Sequence, residues 1–300
     1  MENSVEFYRK EIYNFITSKF DFDGILETEI PSLSFYKTFD TTNFSCSIYE
    51  PSLCIILQGS KEVSFADELA SYGRQRYLLS CAHLPINVKI REASKDEPFV
   101  SLVIKFSLAD VYDVIKSVGG FKQISNAKSE KGILLGTINS ELLELVYRLV
   151  GLCGKDKKYV KNMSNLILKE ILYHLVLSEN SGEFLAKFAI SGSIPNKISM
   201  AVAEIRTNFS EKLNIKELAN LVDMSESSLY QNFKIVTSLS PIQFQKKIRL
   251  EEARNMLNSQ KVKVSDVAFA VGYESPSQFN REYARMYGIS PKAHAIAING

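Results

Sequence analysis

A stretch near the C-terminal end, SPSQFNREYARMY, carries polar side chains at helical spacing. Ser277, Asn280 and Arg281 are interleaved with the aromatic residues Phe279 and Tyr283. Residues three and four apart lie on one face of a helix, so the polar groups are predicted opposite the aromatic rings. An amide group can form two hydrogen bonds to adenine, and a guanidinium group can do the same with guanine. The chemistry available to this face is therefore recognition of base edges in DNA.

A second stretch, SESSLYQNFKIV, has the same arrangement about fifty residues earlier, with Leu229, Phe233 and Val236 as its apolar stripe. Any surface helix has a polar outer face, and a single copy leaves both interpretations open. Two copies at a fixed spacing favour recognition of DNA. The candidate DNA-contacting residues are Ser227, Tyr230, Gln231, Lys234, Ser277, Gln278, Asn280, Arg281 and Arg285.

The two stretches belong to an internal repeat. Leu218 and Ala219 correspond to Val267 and Ala268 at an offset of 49. The later positions match at an offset of 50, since the second turn has one more residue: Leu229 with Phe279, Phe233 with Tyr283, Ser240 with Ser290, and Pro241 with Pro291. A repeat that keeps its apolar positions and varies its polar ones is one supersecondary unit used twice.

Each unit, at about 214–236 and 264–287, is predicted to be a helix, a short turn and a second helix. Gly272 supplies a positive φ in the second turn, and Asp223 occupies the same place in the first. Ser225 and Ser275 are predicted N-caps of the second helices. A helix-turn-helix places its second helix in the DNA major groove. Residues 241–260 are predicted to form one linking helix that holds the two reading helices roughly one DNA turn apart.

The charge distribution agrees with a polyanionic partner for this region. Residues 196–300 contain 14 Lys and Arg against 10 Asp and Glu, whereas the rest contains 22 against 24. Neutralising phosphates requires Lys and Arg, so the excess favours DNA as the partner of the C-terminal third.

The N-terminal half has a different pattern of apolar and polar residues. Residues 5–20 have the apolar spacing of a helix. Between about 24 and 106, short β-branched and aromatic runs follow one another without intervening helices, which predicts an antiparallel barrel or sandwich. The clearest runs are 52–59, 62–66, 76–81, 86–92 and 99–106. Helices are predicted at 107–118, 138–153 and 162–178, with 154–161 as a solvated connection.

A catalytic role has little support in the residues. A metal site of the cupin kind commonly needs two histidines and an acid, and this half offers only His83 and His174, far apart in sequence. No Ser/His/Asp set, phosphate-binding loop or HExxH motif is present. We therefore predict no catalytic residues, no metal and no cofactor.

Four cysteines occur without a CxxC motif, which indicates reduced thiols in a cytosol. Cys46, Cys54 and Cys81 fall in the strand region. A thiol facing a cavity could sense oxidants or electrophiles, and a small buried apolar residue is the alternative. The sequence does not choose among the three.

The segments SPIQFQKKIRLEEAR and VSDVAFAVGYESPSQFNREYARMYGISP resemble the DNA-binding domain of AraC/XylS-type transcription regulators. The stretch YEPSLCIILQGSKEV, followed by YLLSCAHLP, is similar to the N-terminal domain of one subgroup of that family. Three positions depart from the family pattern: Asp223 and Ser238 stand where glycines are usual, and His294 stands where a tyrosine is usual.

The resemblance implies a cupin-like barrel that binds an effector or responds to stress, with following helices that dimerise. It implies a seven-helix C-terminal domain whose reading helices enter successive major-groove segments. Family base-contacting positions fall on Ser227, Tyr230, Gln231, Ser277, Asn280 and Arg281.

The predicted fold class is α+β. Residues 1–190 are expected to form a sensing and dimerisation domain, with a barrel at about 24–106 and helices at about 107–190. Residues 191–300 are expected to form an all-α DNA-binding domain. The predicted function is a cytoplasmic, homodimeric, sequence-specific transcription regulator without membrane segments. Its partners would be double-stranded DNA, an unknown small effector and, for an activator, RNA polymerase. The alternative is a metal-dependent cupin enzyme with a nucleic-acid-binding tail.

Overall fold

A computed structural model describes residues 2–65, 68–120, 131–259 and 262–299. The protein is α+β, as predicted, with strands concentrated in the N-terminal part and helices alone in the C-terminal part. In chain order its elements are α1 (Glu2–Lys19), β1 (Gly24–Glu27), β2 (Leu33–Thr38), β3 (Ser45–Tyr49), β4 (Ser52–Gln58), β5 (Ser60–Phe65), β6 (Glu68–Gly73), β7 (Arg76–Ser80), β8 (Leu84–Glu92), β9 (Phe99–Lys105), α2 (Leu108–Ser117), β10 (Ile133–Thr137), α3 (Ser140–Val150), α4 (Lys157–Leu177), α5 (Glu179–Ala189), α6 (Ile194–Thr207), α7 (Ile215–Leu221), α8 (Glu226–Thr237), α9 (Pro241–Ser259), α10 (Val264–Ala270), α11 (Pro276–Tyr287) and α12 (Pro291–Asn299).

The strands form two antiparallel sheets. The larger has the order β1-β2-β9-β4-β7-β10 and the smaller β3-β8-β5-β6. Within the described residues these sheets do not join into one closed barrel, so the barrel prediction is corrected to two open sheets. Runs of β-branched residues are equally consistent with both arrangements, because the difference depends only on pairing between edge strands.

Strand β4 shows why its sequence is an unbroken apolar run. Leu53 and Ile55 contact the helices behind the large sheet, whereas Cys54 and Ile56 belong to the cluster between the sheets. Because both faces of the strand are covered, the usual alternation of polar and apolar residues disappears.

On the large sheet, α1 packs against β4 and α5 packs against β10. Helices α2 to α5 pack on one another, and α3 also packs on α1. The predicted connection at 154–161 is wrong over its second half, because α4 begins at Lys157. The Asp156 side chain accepts hydrogen bonds from the Lys158 and Tyr159 amides, at 3.0 and 3.1 Å. This N-cap satisfies orphan amides and starts the helix in a segment whose lysines suggested a loop.

The C-terminal part of the described chain consists of the seven helices α6 to α12. Helix α9 lies between the two helix-turn-helix units and contacts α8 on one side and α10 on the other. The first unit shares one continuous buried cluster with the N-terminal part, whereas the second has a cluster of its own around Val267, Phe279 and Tyr283.

Three kinds of contact connect the N-terminal part with the C-terminal helices. The Gly132 amide donates to the Val236 carbonyl of α8 at 3.1 Å. Arg206 of α6 lies 3.7 Å from the Glu50 carboxylate, which also pairs with Lys105 at 3.2 Å. Helix α9 also packs against β3 and β8. The N-terminal and C-terminal parts therefore share packed, polar and charged contacts.

This contact region predicts acid sensitivity. Burial, together with the nearby positive charge of Arg206, lowers the pKa of His83 to about 4 despite the opposing effect of Glu50. An unfolded histidine has a pKa of about 6.5, so between about pH 6.5 and 4 the unfolded state binds more protons and the folded state loses stability. In the His83→Gln variant, we expect the decrease in the free energy of unfolding at acid pH to be smaller by about 1–3 kcal/mol, after allowance for partial exposure.

Urea unfolding of both proteins at pH 7.0, 6.0, 5.0 and 4.5 measures the effect. Relative to wild type, the variant should have a higher free energy of unfolding at pH 4.5 than at pH 7.0. A constant difference would contradict the low pKa of His83.

Candidate nucleic-acid interface and ligand cavity

The second helices of both units present their predicted polar residues to solvent. The apolar side chains Leu229 and Phe233 of α8, and Phe279 and Tyr283 of α11, are fully buried. The exposed residues on the opposite faces are Ser227, Tyr230, Gln231, Lys234, Ser277, Gln278, Asn280, Arg281 and Arg285. All nine candidate contacts therefore lie where another molecule can reach them.

The candidate residues differ in how far they are engaged within the protein. Gln278 Nε2 donates to Glu282 Oε1 at 3.2 Å, and Lys246 lies 2.9 Å from the same carboxylate oxygen. Among the described residues, Asn280 and Arg281 make no side-chain hydrogen bond or ion pair. Their side-chain donors and acceptors are available to a partner, whereas the Gln278 amide already donates to Glu282.

Both reading helices begin at the predicted caps. Ser225 Oγ accepts from the Ser228 amide at 3.2 Å, and Ser275 Oγ accepts from the Gln278 amide at 3.4 Å. Pro276 occupies the first turn of α11, where its missing N–H is tolerated. The caps fix where each polar face starts.

The turns have the positive φ that the sequence predicts. Gly272 has a φ of 89° and Asp223 a φ of 51°. Lys197 Nζ stabilises the strained Asp223 by donating to its carbonyl at 2.8 Å and to its carboxylate at 2.9 Å. At Gly272, a Cβ would collide with the Ser210 carbonyl oxygen. The second turn therefore needs glycine for two reasons: a side chain would clash with Ser210, and the backbone has a positive φ.

The two other departures from the family pattern are also accommodated. Ser238 ends α8 in the left-handed conformation, as Gly288 does for α11. His294 is buried, and its Nδ1 lies 2.5 Å from the Tyr283 hydroxyl. The histidine thus joins α12 to the second reading helix through a hydrogen bond.

A cavity of about 410 Å³ lies between the two sheets. Both sheets contribute to its wall, whose surface is mostly apolar. Charged residues also line it, and composition did not predict these. The charged residues are Glu27, Glu50, Lys61 and Lys105.

A family model of the AraC-type transcriptional regulator N-terminus matches residues 29–183, just over half of the chain. The chain belongs to the AraC-type transcriptional regulators. A model of a helix-turn-helix domain matches residues 218–295, which include α8 and α11.

Among curated proteins, this AraC-type chain is similar to the lactose operon transcription activator of Staphylococcus xylosus. The two are 27% identical over 187 residues, which are 59% of this chain and 66% of that protein. It is 30% identical over 102 residues to the raffinose operon transcriptional regulatory protein RafR of Pediococcus pentosaceus, covering 34% of this chain and 37% of that protein. The matched stretches span less than two thirds of each relative.

Among solved structures, the fold resembles wild-type ToxT from Vibrio cholerae strain SCE256, crystallised with an unsaturated fatty acid. The TM-score is 0.61 at 14% identity, with 94% of this chain and 98% of that chain covered. At this identity the likeness concerns the fold alone.

Two residues of this AraC-type regulator that sequence reasoning missed lie on α9 and hold the segments around its helix-turn-helix units. Arg249 Nε donates to the Phe209 carbonyl at 2.7 Å, and its Nη1 donates to the Gly272 carbonyl at 2.8 Å. Gln245 Nε2 reaches the Glu211 carbonyl at 2.8 Å. Both lie on α9 four residues apart, and this spacing of long polar side chains on one helix face was the available signal. Arg249 therefore ties the turn of the second unit to the loop before the first, and Gln245 holds that loop against α9.

The three candidate sensor cysteines occupy different surroundings. Cys54 lines the cavity, 3.8 Å from Lys61 Nζ, whereas Cys81 belongs to the core cluster that includes the outer helices. Burial raises the pKa of Cys46, with Lys247 acting in the opposite direction. Cys54 is thus the one candidate of the three that borders the cavity.

Within the described ranges, no group of three His, Cys, Asp or Glu residues is arranged to hold a metal ion. His83 lies 3.9 Å from Glu50 at the contact between the two parts, and His174 lies on α4. Across the same ranges, every helix is too short or too polar to act as a membrane span.

Proposed function

We propose that this chain is an effector-responsive transcription regulator that binds a specific DNA site through α8 and α11 together. The observation that carries the proposal is the pair of exposed polar faces on the second helices of two helix-turn-helix units joined by α9. At 19 residues, α9 is about 28 Å long, which is close to the pitch of a DNA turn. The two helices are therefore suited to neighbouring segments of the major groove on one face of the duplex.

In this proposal the individual residues divide into two roles. Gln231, Asn280 and Arg281 carry the amide and guanidinium groups that can read base edges. Lys234 and Arg285 supply positive charge for phosphates, and Ser227, Tyr230, Ser277 and Gln278 complete the two contact surfaces. This division follows from the hydrogen-bonding groups of each side chain.

The signal would enter through the cavity between the sheets. The relatives are named as regulators of sugar operons, and ToxT has been crystallised with an unsaturated fatty acid. These names support a small organic effector for the cupin-like N-terminal part. The contacts of Gly132 with Val236 and of Glu50 with Arg206 offer a route from the cavity to the DNA-binding helices. For an effector to act, it must bind two arrangements of these contacts with different affinity.

Footprinting on DNA upstream of the chain's own gene and neighbouring genes, with and without cell extract, tests the proposal. We expect two protected segments about one turn apart, with protection that changes on adding extract. Uniform protection of unrelated DNA would contradict specific binding. We also propose that the regulator acts in the cytoplasm and, if it is an activator, contacts RNA polymerase.

We further propose that the regulator is a homodimer formed through the N-terminal helices. The apolar side chains of Leu142, Leu149 and Leu172 on α3 and α4 are buried within one protomer and are not available to a second copy. Other apolar side chains on α3 and α4 remain exposed. They are Tyr147, Tyr159, Leu166 and Leu177, with exposed fractions of 38, 49, 57 and 69%.

For the full chain, we expect Leu166→Glu to shift sedimentation from dimer to monomer at micromolar concentration, because a buried unpaired charge opposes association. Asn165→Glu, at the adjacent exposed position, is the control that adds the same charge. A wild-type monomer, or equal behaviour of both variants, would count against this interface.

A further inference from the structure

Strand β5 places a lysine where its pattern calls for an apolar residue. Lys61, Val63 and Phe65 alternate as the buried positions of the strand, facing the space between the sheets. Lys61 is only 7% exposed and lines the cavity. Beside it the pairing of β5 with β8 is irregular, since Ser60 pairs with Glu92 and Lys61 with Ile90. Such β-bulges redirect side chains and occur frequently next to functional sites.

The surroundings of the Lys61 ammonium group contain no carboxylate partner. Among the described residues, no Asp or Glu oxygen lies within 4 Å of its Nζ. Cys54 Sγ lies 3.8 Å from this Nζ, and the Tyr49 phenol interacts with Lys61 through a hydrogen bond. Tyr72 donates to Cys54 Sγ at 3.6 Å. Burial raises the pKa of both phenols, so at neutral pH they are uncharged.

The charge on Lys61 nevertheless persists. Burial acts to lower the pKa of Lys61, whereas Cys54 and the hydrogen bond with Tyr49 act to raise it, and the balance lies above its usual value. Lys61 is therefore an ammonium group at neutral pH. A buried charge without a counter-charge is costly, and an anion in the adjacent cavity would offset this cost.

Lys105 provides an internal comparison. It lines the same cavity but already pairs with Glu50 at 3.2 Å, and its side chain is 39% exposed. An anionic ligand would therefore gain more from the unpaired, desolvated Lys61 than from Lys105.

We infer that the cavity binds a small organic acid with one carboxylate, which pairs with Lys61 while an apolar body packs between the sheets. This inference deepens the proposed function, on which it rests, by assigning the class of effector. A volume of about 410 Å³ suits a small molecule, since ligand pockets commonly measure about 300–1,000 Å³. The Lys61 ammonium and the Tyr49 hydroxyl can donate to the two oxygens of one carboxylate, and the hydroxyl groups of Ser34, Ser47 and Ser101 line the same cavity. Apolar wall residues are available for the body of the ligand: Ile25, Ile48, Val88, Ile90 and Val103.

Calorimetric titration of the full chain at pH 7.5 tests the inference with two matched pairs of probes: octanoate with octanamide, and 4-phenylbutanoate with 4-phenylbutanamide. Each pair keeps the apolar body and differs in charge. We expect at least one acid to bind about 10- to 100-fold more tightly than its amide, the range for a charged hydrogen bond. Lys61→Met should abolish this difference, and Lys105→Met should preserve it.

The comparison of acid and amide on the unaltered protein does not depend on the folding of any variant. Equal affinity for both members of each pair, or no binding of either acid, would overturn the inference. A preference for the acid that survives Lys61→Met would also overturn it. Footprinting without added acid tests DNA binding separately, so failure of the proposed function would be seen independently of ligand binding.

Discussion

Arg281→Ala should weaken binding to the DNA target by about 1–3 kcal/mol, roughly 5- to 150-fold, while the thermal midpoint stays within error of wild type. Arg281 is exposed on α11, and its guanidinium makes no hydrogen bond within the described structure. Its removal therefore costs the fold little. The loss arises because guanidinium donors that face a base or phosphate disappear from the complex. Fluorescence anisotropy with footprinted DNA gives the affinity, and a thermal melt gives the stability.

Two further variants define what Arg281 contacts. Arg281→Lys keeps the charge but loses the paired donors, so it should behave like alanine if the residue reads guanine and like wild type if it contacts phosphate. Lys116→Ala removes one exposed charge from α2 in the N-terminal part and serves as the control. Wild-type affinity for Arg281→Ala, or an equal loss for Lys116→Ala, would refute the assignment.

Gly272→Ala should lower the free energy of unfolding of the C-terminal helices by about 3 kcal/mol or more. A left-handed conformation costs a non-glycine residue about 1–3 kcal/mol, and forcing a methyl group into a filled space costs about 1–3 kcal/mol more. At Gly272 both apply, because the added Cβ meets the Ser210 carbonyl held by Arg249. Specific DNA binding should fall with it, since the turn sets the angle of α11.

Gly288→Ala is the matched control. Gly288 has a similar φ of 75°, but no atom lies within 4 Å of an added Cβ. It should therefore show the conformational cost alone, about 1–2 kcal/mol. Urea unfolding followed by circular dichroism compares the two variants. Equal losses would show that the close approach to Ser210 carries no energetic weight.

The reading helices could be predicted from the sequence because their signals are local. Ser225 and Ser275 as caps, Gly272 as a turn residue, and the spacing of Leu229 with Phe233 each depend on neighbours within a few residues. Because the same pattern occurs in both copies of the repeat, each copy supports the prediction made for the other.

The cavity required information that the sequence does not carry locally. Lys61 stands among alternating Val63 and Phe65, so its inward direction could be anticipated from period two alone. That Glu50 would neutralise Lys105 and leave Lys61 unpaired depends on strand order, because these residues come from different strands and loops. The same reason explains why two open sheets could not be distinguished from a barrel, and why Arg249 was missed as a link between the units.

The division of the buried clusters has a consequence for how the molecule unfolds. The first helix-turn-helix shares its cluster with the sheets and outer helices, whereas the second has a separate cluster. Local openings follow such boundaries, so α10 to α12 can come apart as one cooperative unit while α8 stays folded with the N-terminal part. Amide hydrogen exchange would then be faster in α11 than in α8. Bound DNA would hold α11 in place and would therefore stabilise the less protected of the two helices that contact it.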